Sequence, residues 1–223
     1  MIPRIIHQVW LGPPMPADLA DYCAGWRSLH AGPAWEYRLW QDEDLETFGL
    51  RNRALYDRAA EIAPGHEGAF KADIARYEIL LRYGGIYLDC DIEACKPLDP
   101  LIAAGFEAFA TWERPDRWIS NAVMGAEPGT PLMEMLVAEL AGHVEQQLAE
   151  ARDRDRTYGP NILTGPQYLT GQYHHRPQSL TILPKGWFHP YLYSELDRGR
   201  EAFPGAYGVH HWHSRRTERA TPR

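Results

Sequence analysis

The 223-residue chain predicts an α/β protein with a mostly parallel central sheet flanked by helices. In its first half, short apolar runs of strand character alternate with longer segments of helical periodicity, the order that builds parallel sheets. In its second half one long amphipathic segment is followed by several short apolar runs in a more mixed order. No internal repeat or low-complexity block interrupts either half.

"RIIHQVWL" (4–11) reads as the first strand and is closed by the turn residues "GPPMP". Over 16–30, Leu19, Tyr22, Cys23, Trp26 and Leu29 recur at helical spacing. "EYRLW" (36–40) predicts a short strand, and 42–48 a helix with Asp42 as its N-cap and acidic residues in its first turn. The best-defined helix covers 68–85, where Phe70, Ile74, Tyr77 and Leu81 share one face and a Gly-Gly pair stops it. "IYLDCDI" follows as a strand, with further strands at 106–113 and 118–127. Residues 130–152 predict a long helix with Thr130 as N-cap and Pro131 at the first position. The run 152–161 reads as a solvated helix end and loop, and 164–170 as a Gly-Pro turn launching a helix. "SLTILPKGWFHP" and "AYGVHHWHS" read as late strands. Residues 1–214 are expected to form one domain, and 215–223 a polar tail.

Composition narrows the function classes. Hydrophobic residues make up 44% and charged residues 24%, enough to bury a sizeable core. The net charge of −7 argues against a nucleic-acid partner, which needs clustered Lys and Arg. It leaves a phosphorylated ligand open, because one metal ion and a few placed cations hold a diphosphate locally. No 18-residue apolar run predicts a transmembrane segment, and the N-terminus lacks the pattern of a signal peptide. A cytoplasmic location is expected, with peripheral membrane contact left open. Cys23, Cys90 and Cys95 form no CxxC pair and are expected as free thiols, Cys90 and Cys95 buried.

Asp89 and Asp91 stand at the end of an apolar run, where unpaired charge is costly. If the strand continues through them, Tyr87, Asp89 and Asp91 share one face and Ile86, Leu88 and Cys90 the other. Two neighbouring carboxylates raise one another's pKa unless a cation joins them, and a divalent ion is a simple remedy. If the strand ends at Leu88, both are solvated turn residues; D-x-D spacing alone weighs these evenly. Asp73 and Arg76 share a helical face, which by itself predicts a surface pair worth roughly 0.3–0.5 kcal/mol. Lys71 points elsewhere and reads as a solvated charge. His210, His211 and His213 cluster near a late strand's end, where three histidines together suggest a ligand site. Alternation puts His211 and His213 on one face and His210 with Trp212 on the other.

Five passages in order, "IPRIIHQVWLG", "FKADIARYEILLRYGGIYLDCDI", "ISNAVMGAEPGTP", "NILTGPQYLT" and "VHHWHS", carry a resemblance that covers most of the chain. It resembles the D-x-D sugar-transferase family of the yeast-type initiating mannosyltransferases and bacterial capsule transferases, and more distantly the glucosylating domains of large clostridial toxins. The resemblance implies a GT-A fold, a Rossmann-like sandwich that binds a nucleoside-diphosphate sugar with a divalent metal, Mn²⁺ or else Mg²⁺. It implies Asp91 as a direct metal ligand, with Asp89 on the donor ribose or sugar, or on the metal directly or through water. Asp73 would bond donor-sugar hydroxyls, Arg76 would lie near sugar and phosphate, and Tyr87 and Asn121 near the donor. Trp10 would stack on the base, His211 would ligate the metal with His213 as the alternative, and Ser214 would touch metal or phosphate. Where relatives carry a diphosphate-binding tryptophan, this chain has Arg216.

The implied reaction is retaining transfer of a sugar, from a UDP-sugar ahead of GDP-mannose, to a hydroxyl of a glycan, lipid-linked or small-molecule acceptor. Bacterial surface-polysaccharide synthesis is the expected setting. Two rival readings are a catalytically degenerate nucleotide- or sugar-binding module, which Arg216 keeps open, and a glycoside hydrolase using Asp89 and Asp91.

Overall fold

The computed structural model describes residues 1–175 and 180–214. The elements run β1 (Ile5–Val9), α1 (Ala17–Leu29), β2 (Glu36–Trp40), α2 (Asp42–Phe48), α3 (Arg53–Asp57), α4 (Ala59–Ile62), α5 (Glu67–Tyr83) and β3 (Gly85–Leu88). They continue with β4 (Ile92–Ala94), α6 (Asp99–Ala103), β5 (Ala108–Arg114), β6 (Trp118–Ala126), α7 (Pro131–Asp153), α8 (Pro160–Leu163), α9 (Pro166–His175), β7 (Thr181–Leu183) and β8 (Gly208–His210). Two 3₁₀ turns, Lys185–Trp187 and Leu196–Arg200, lie between β7 and β8.

The main sheet has the order β2-β1-β3-β6-β5-β7. Strand β6 is antiparallel to both its neighbours, and the other pairings are parallel. The sheet is thus mostly parallel with one reversed strand, as an α/β sandwich requires. Alternation along β3 sends Ile86 and Leu88 into one apolar layer with Trp26, Leu101, Ile102 and Phe188, and Tyr87 into the other with Phe70, Ile74, Tyr77 and Leu140.

The Gly-Gly pair does more than stop α5. Gly84 and Gly85 have φ of +62° and +97°, and a Cβ on Gly85 would fall 2.6 Å from the Ile5 carbonyl oxygen. A Cβ on Gly84 would fall 2.7 Å from Pro128 Cδ. Only glycine therefore lets the helix end abut the first residue of β3. Behind this junction His7 is buried between two partners. Its Nδ1 accepts from Trp40 Nε1–H at 3.1 Å, and its Nε2–H donates to the Gly84 carbonyl at 2.9 Å.

Several expectations need correction. The strand that carries the D-x-D residues ends at Leu88; Ile92–Ala94 forms a separate strand that leaves the main sheet and pairs with β8. The N-cap of α2 is Gln41, whose N–H donates to Asp44 at 2.9 Å; Asp42 accepts from the Gly12 N–H at 2.9 Å and ties down the loop after β1. Thr130 does cap α7, accepting from the Met133 N–H at 3.4 Å. The short helices α3, α4 and α6 fall in stretches where no helical period is long enough to read. The run "SLTILPKGWFHP" yields only the three residues of β7 before a 3₁₀ turn. Cys95 is exposed, while Cys23 and Cys90 are buried. Lys71 is half-buried, its Nζ 4.8 Å from the Tyr56 ring centroid. No helix among the described residues is long and apolar enough to cross a membrane.

Candidate functional site

Asp89 still donates its N–H to Ala122 of β6, at 2.9 Å, before the backbone turns. The Asp89 carbonyl then accepts from Ile92 N–H at 3.2 Å, so Asp89 and Asp91 are the first and third residues of a tight turn. Neither is solvated as a free turn residue would be: their side chains are 28% and 14% exposed. The two carboxylates are held by different partners.

The Asp89 side is built on α5. Arg76, 4% exposed, lies with Nη2 3.0 Å from Asp73 Oδ1 and 3.1 Å from Asp89 Oδ1. Its Nη1 donates to the Asn121 carbonyl at 2.6 Å, and its guanidinium sits 4.4 Å over the Tyr87 ring. The surface pair expected from i,i+3 spacing is thus a buried cation bridging two carboxylates. Asp73 Oδ1 also accepts from Asn121 Nδ2 at 2.8 Å, and its Oδ2 from the Thr164 hydroxyl at 2.7 Å. Gly165 makes that approach possible, since a Cβ there would lie 3.3 Å from Asp73 Oδ2 and 3.0 Å from Asn161 Cα. Tyr87 is buried, and its hydroxyl donates to Asp89 Oδ1 at 2.9 Å. Burial pushes the Asp73 and Asp89 carboxyls up, against the pull of Arg76; Asp91 adds to the rise at Asp89.

The Asp91 side is built on β8. Pairing of Ile92 with His210 carries the histidine run to the turn. His210 Nε2 lies 3.1 Å from Asp91 Oδ1, and the His213 N–H donates to Asp91 Oδ2 at 2.8 Å. Burial works to raise the Asp91 carboxyl, but His210 and the His213 amide outweigh it and hold it at about 2. Burial lowers His210, and Asp91 more than offsets this, so that the imidazole is raised. Behind it, His189 is buried between the Thr111 and Ser120 hydroxyls, each at 3.2 Å, and its ring meets that of His210 edge-on at 5.0 Å. Trp212 packs on His210 at 4.2 Å with φ of +55°, a left-handed conformation that costs a non-glycine residue energy and is concentrated at functional sites. His210 Nδ1 and Trp212 Nε1 are buried without a hydrogen-bond partner among the described residues.

The geometry groups His210, not His211, with the aspartates. His211 Nε2 lies 2.8 Å from Glu93 Oε2 and its Nδ1 3.1 Å from the Tyr191 hydroxyl, with its ring stacked on Tyr22 at 4.8 Å. The His213 ring is near Asp18, at 3.7 Å. The alternation used to sort these histidines fails because β8 ends at His210 and Trp212 reverses the local backbone. Arg216 lies outside the described residues.

Asp89, Asp91 and His210 each offer one ligand atom, and these atoms lie within 4.8 Å of one another. Two carboxylate oxygens and one imidazole fit a divalent ion such as Mn²⁺ and leave coordination positions open. His210 Nδ1 and Trp212 Nε1, without partners among the described residues, leave polar capacity beside the same turn.

Two cavities meet at this turn. The smaller, about 280 Å³, is lined by Trp10, Leu11, Ala72, Arg76, Tyr87 and His213 among others. Trp10 stands just beyond β1 with its Nε1–H donating to the Pro13 carbonyl at 2.7 Å, which fixes the ring in that wall. The larger, about 670 Å³, is polar and is lined by Asn121, His210 and Gln167 and by residues that no motif marks: Arg114, Arg117, Trp118 and Tyr193. Asp89, Asp91 and Ser214 line both.

Residues 16–106 match the family described as a glycosyltransferase sugar-binding region containing a DXD motif. The chain is 35% identical over 141 residues to inositol phosphoceramide mannosyltransferase 3 of Schizosaccharomyces pombe, covering 62% of this chain and 37% of that one. To inositol phosphoceramide mannosyltransferase 1 of the same yeast it is 30% identical over 175 residues, covering 77% and 51%. The chain thus spans at most about half the length of these two relatives. Among solved structures, the PaToxG glycosyltransferase superposes with a TM-score of 0.61 at 15% identity, over 79% of this chain and 70% of that one. The galactosyltransferase LgtC in complex with donor and acceptor sugar analogues superposes at 0.52 and 12%, over 93% and 87%. At those identities the likeness establishes a shared fold, the GT-A fold.

Proposed function

The chain belongs, through residues 16–106, to the glycosyltransferases with a DXD-motif sugar-binding region, and from that premise we propose that it is a metal-dependent, retaining glycosyltransferase. It would move a sugar from a nucleoside diphosphate to a hydroxyl of a glycan or lipid-linked acceptor, in a cytoplasmic setting that includes surface-polysaccharide synthesis. The observation that carries the reading is the Asp89–Asp91–His210 set, with ligand atoms within 4.8 Å, at the junction of a narrow and a wide cavity.

In this reading Asp91 and His210 hold the metal directly and Asp89 completes the set. When bound, the metal supplies Lewis-acid charge to the leaving diphosphate. Trp10 offers a ring face to the base in the narrow cavity. Asp73 lies one layer behind Asp89 and Asn121 at the wall of the wide cavity, where their contacts would hold Arg76, and through it Asp89, against the donor sugar. Ser214, at the border of both cavities, would meet the phosphate. None of these residues is assigned as a covalent nucleophile; front-face displacement, in which the leaving phosphate takes the acceptor proton, accounts for retention. Hydrolysis by Asp89 and Asp91 is disfavoured. Glycosidase carboxyls flank a bond from opposing sides, whereas these two share one turn, and Asp91 is already paired with His210.

The names of the yeast relatives favour the GDP-mannose that the sequence ranked behind a UDP-sugar, so both bases belong in the test. Thermal unfolding is followed with UDP and with GDP, each with and without Mn²⁺, for the natural chain and Asp91→Ala. A ligand at 100 times its Kd adds about 2.7 kcal/mol. A Mn²⁺-dependent rise with one nucleotide, absent in Asp91→Ala, is the expected result. No rise with either nucleotide overturns the reading.

A further inference from the structure

The turn that carries Asp89 and Asp91 is held by its backbone as well as by its carboxylates. The Asp89 carbonyl accepts from Ile92 N–H at 3.2 Å and also from Gln8 Nε2–H at 3.3 Å. The Cys90 carbonyl faces the Cys23 thiol at 4.0 Å, and the Asp91 carbonyl accepts from His211 N–H at 2.9 Å. The Cys90 thiol in turn donates to the Val9 carbonyl at 3.3 Å. Consecutive residues of β1, Gln8 and Val9, thus grip consecutive residues of the turn, Asp89 and Cys90. They do so just beyond the backbone ladder, since the pairing of β1 with β3 covers Ile6–Ile86 and His7–Tyr87.

Gln8 is out of character with its surroundings. It is fully buried, and alternation puts it beside Ile6 on the face that packs Trp26, Ile86 and Leu88. An apolar side chain of the same length would fill that space, and an amide there is costly unless its bonds are made. Both ends are matched: Nε2–H donates to the Asp89 carbonyl, and Oε1 accepts from the Tyr37 hydroxyl at 2.7 Å. The direction of these bonds is fixed by chemistry. A carbonyl only accepts, so the amide must turn its nitrogen to Asp89 and its oxygen to Tyr37, and the hydroxyl must donate. Tyr37 stands on β2, at the end of the sheet order and paired with β1. A relay of two hydrogen bonds therefore runs from the sheet edge to the peptide of Asp89. Gln8 itself lines neither cavity, so it is not placed to touch a ligand.

We propose that Gln8 is a positioning residue: held in one orientation by Tyr37, its amide sets the rotation of the Asp89 peptide, and so the convergence of Asp89 and Asp91 with His210. A turn that brings its ligand atoms within 4.8 Å of a histidine on another strand tolerates little rolling of that peptide. The consequence for metal binding rests on the transferase reading; the hold on the turn does not.

Three measurements test it. Mn²⁺ affinity is read from the paramagnetic resonance of the free ion, global stability from urea unfolding, and hydrogen exchange of the metal-free protein at the Ile92 and His211 amides. Gln8→Met keeps the length of the side chain and loses both bonds. It should weaken Mn²⁺ binding about tenfold and speed exchange at both amides by more than its change in global stability accounts for. Tyr37→Phe removes only the orienting hydroxyl from a half-buried ring, and keeps the test open if Gln8→Met does not fold; a loss of about threefold is expected. Gln8→Met/Tyr37→Phe removes both partners of the buried bond and should regain stability without regaining Mn²⁺ affinity, whereas a merely structural role predicts that both return. Asn52→Leu is the control, since Asn52 is a buried amide bonded to Glu78 and the Val137 carbonyl that lines neither cavity. It should change Mn²⁺ affinity less than about twofold, whatever its cost in stability. Affinity and exchange unchanged in both single variants, affinity restored with stability in the double variant, or an equal loss in Asn52→Leu overturns the proposal. Mn²⁺ binding without nucleotide binding would sink the transferase reading and leave this one standing. If the natural chain binds no Mn²⁺, the metal falls and exchange at Ile92 and His211 alone decides whether Gln8 sets the turn.

Discussion

Asp89 and Asp91 stand on one turn, two residues apart, yet their surroundings are completed in different ways. On the Asp89 side the groups that could accept or donate are matched within the protein: Arg76 bridges Asp73 and Asp89, and Thr164, Asn121 and Tyr87 fill the remaining places. On the Asp91 side two buried nitrogens, His210 Nδ1 and Trp212 Nε1, have no partner among the described residues, and Trp212 is held at positive φ. A matched polar cluster rigidifies a fold, whereas an unmatched one is costly unless something else completes it. The first side is frame and the second is receiver.

The largest expected effect would break this distinction on the frame side. Arg76→Met leaves Asp73 and Asp89 facing one another without their shared cation, and loss of one partner of a buried ion pair costs about 3–5 kcal/mol. Urea unfolding at neutral pH should show a loss of that order; a loss below about 1 kcal/mol would mean that Arg76 belongs to the receiver instead. Next in size is an acid response from the matched region behind β3. Burial, together with Arg38, lowers His7 to about 4 although the Gly84 bond favours the charged form. The unfolded chain, with a histidine near 6.5, therefore binds the extra proton first. Stability from this group is full above pH 6.5 and falls as pH drops toward 4, by about 3 kcal/mol in all. Urea midpoints measured from pH 7 to 4 should shift less in His7→Gln than in the natural chain.

The smallest effects should differ in sign between the two sides. Thr164→Val removes the donor to Asp73 Oδ2 and should destabilise by about 1–3 kcal/mol, the cost of an unsatisfied buried group. Trp212→Phe removes an indole N–H that has no partner among the described residues, and should be neutral or stabilising by up to about 1 kcal/mol while weakening nucleotide binding. Paired unfolding and binding measurements on the two variants read the contrast directly. Destabilisation of equal size in both would erase it.

Local signals in the sequence were enough for most of this architecture. The period of Phe70, Ile74, Tyr77 and Leu81, the Gly84-Gly85 stop and the Thr130-Pro131 start are chemistry written within one or two turns of chain. Charge after an apolar run marked the D-x-D pair as needing compensation, but its spacing weighed a site and a solvated turn evenly, and the five passages of resemblance decided between them. What was not readable depended on contacts distant in sequence. His210 reaches Asp91 through the pairing of β4 with β8, which no period announces, whereas the resemblance implied its neighbour His211. Thr164 lay in a stretch taken for a structural turn, although its hydroxyl completes Asp73 from 91 residues away. Arg114 and Arg117 read as ordinary turn residues, and only the fold places them at the wall of the wide cavity.

The glycine junction between α5 and β3 has a consequence for how a donor is received. With no room for a side chain at either position, the helix bearing Asp73 and Arg76 and the strand leading to Asp89 are packed directly against their neighbours where they join. The conformational entropy of those groups is surrendered when the chain folds, so a ligand arriving there meets atoms already in place. Substitutions along α5 therefore register as changes in folding.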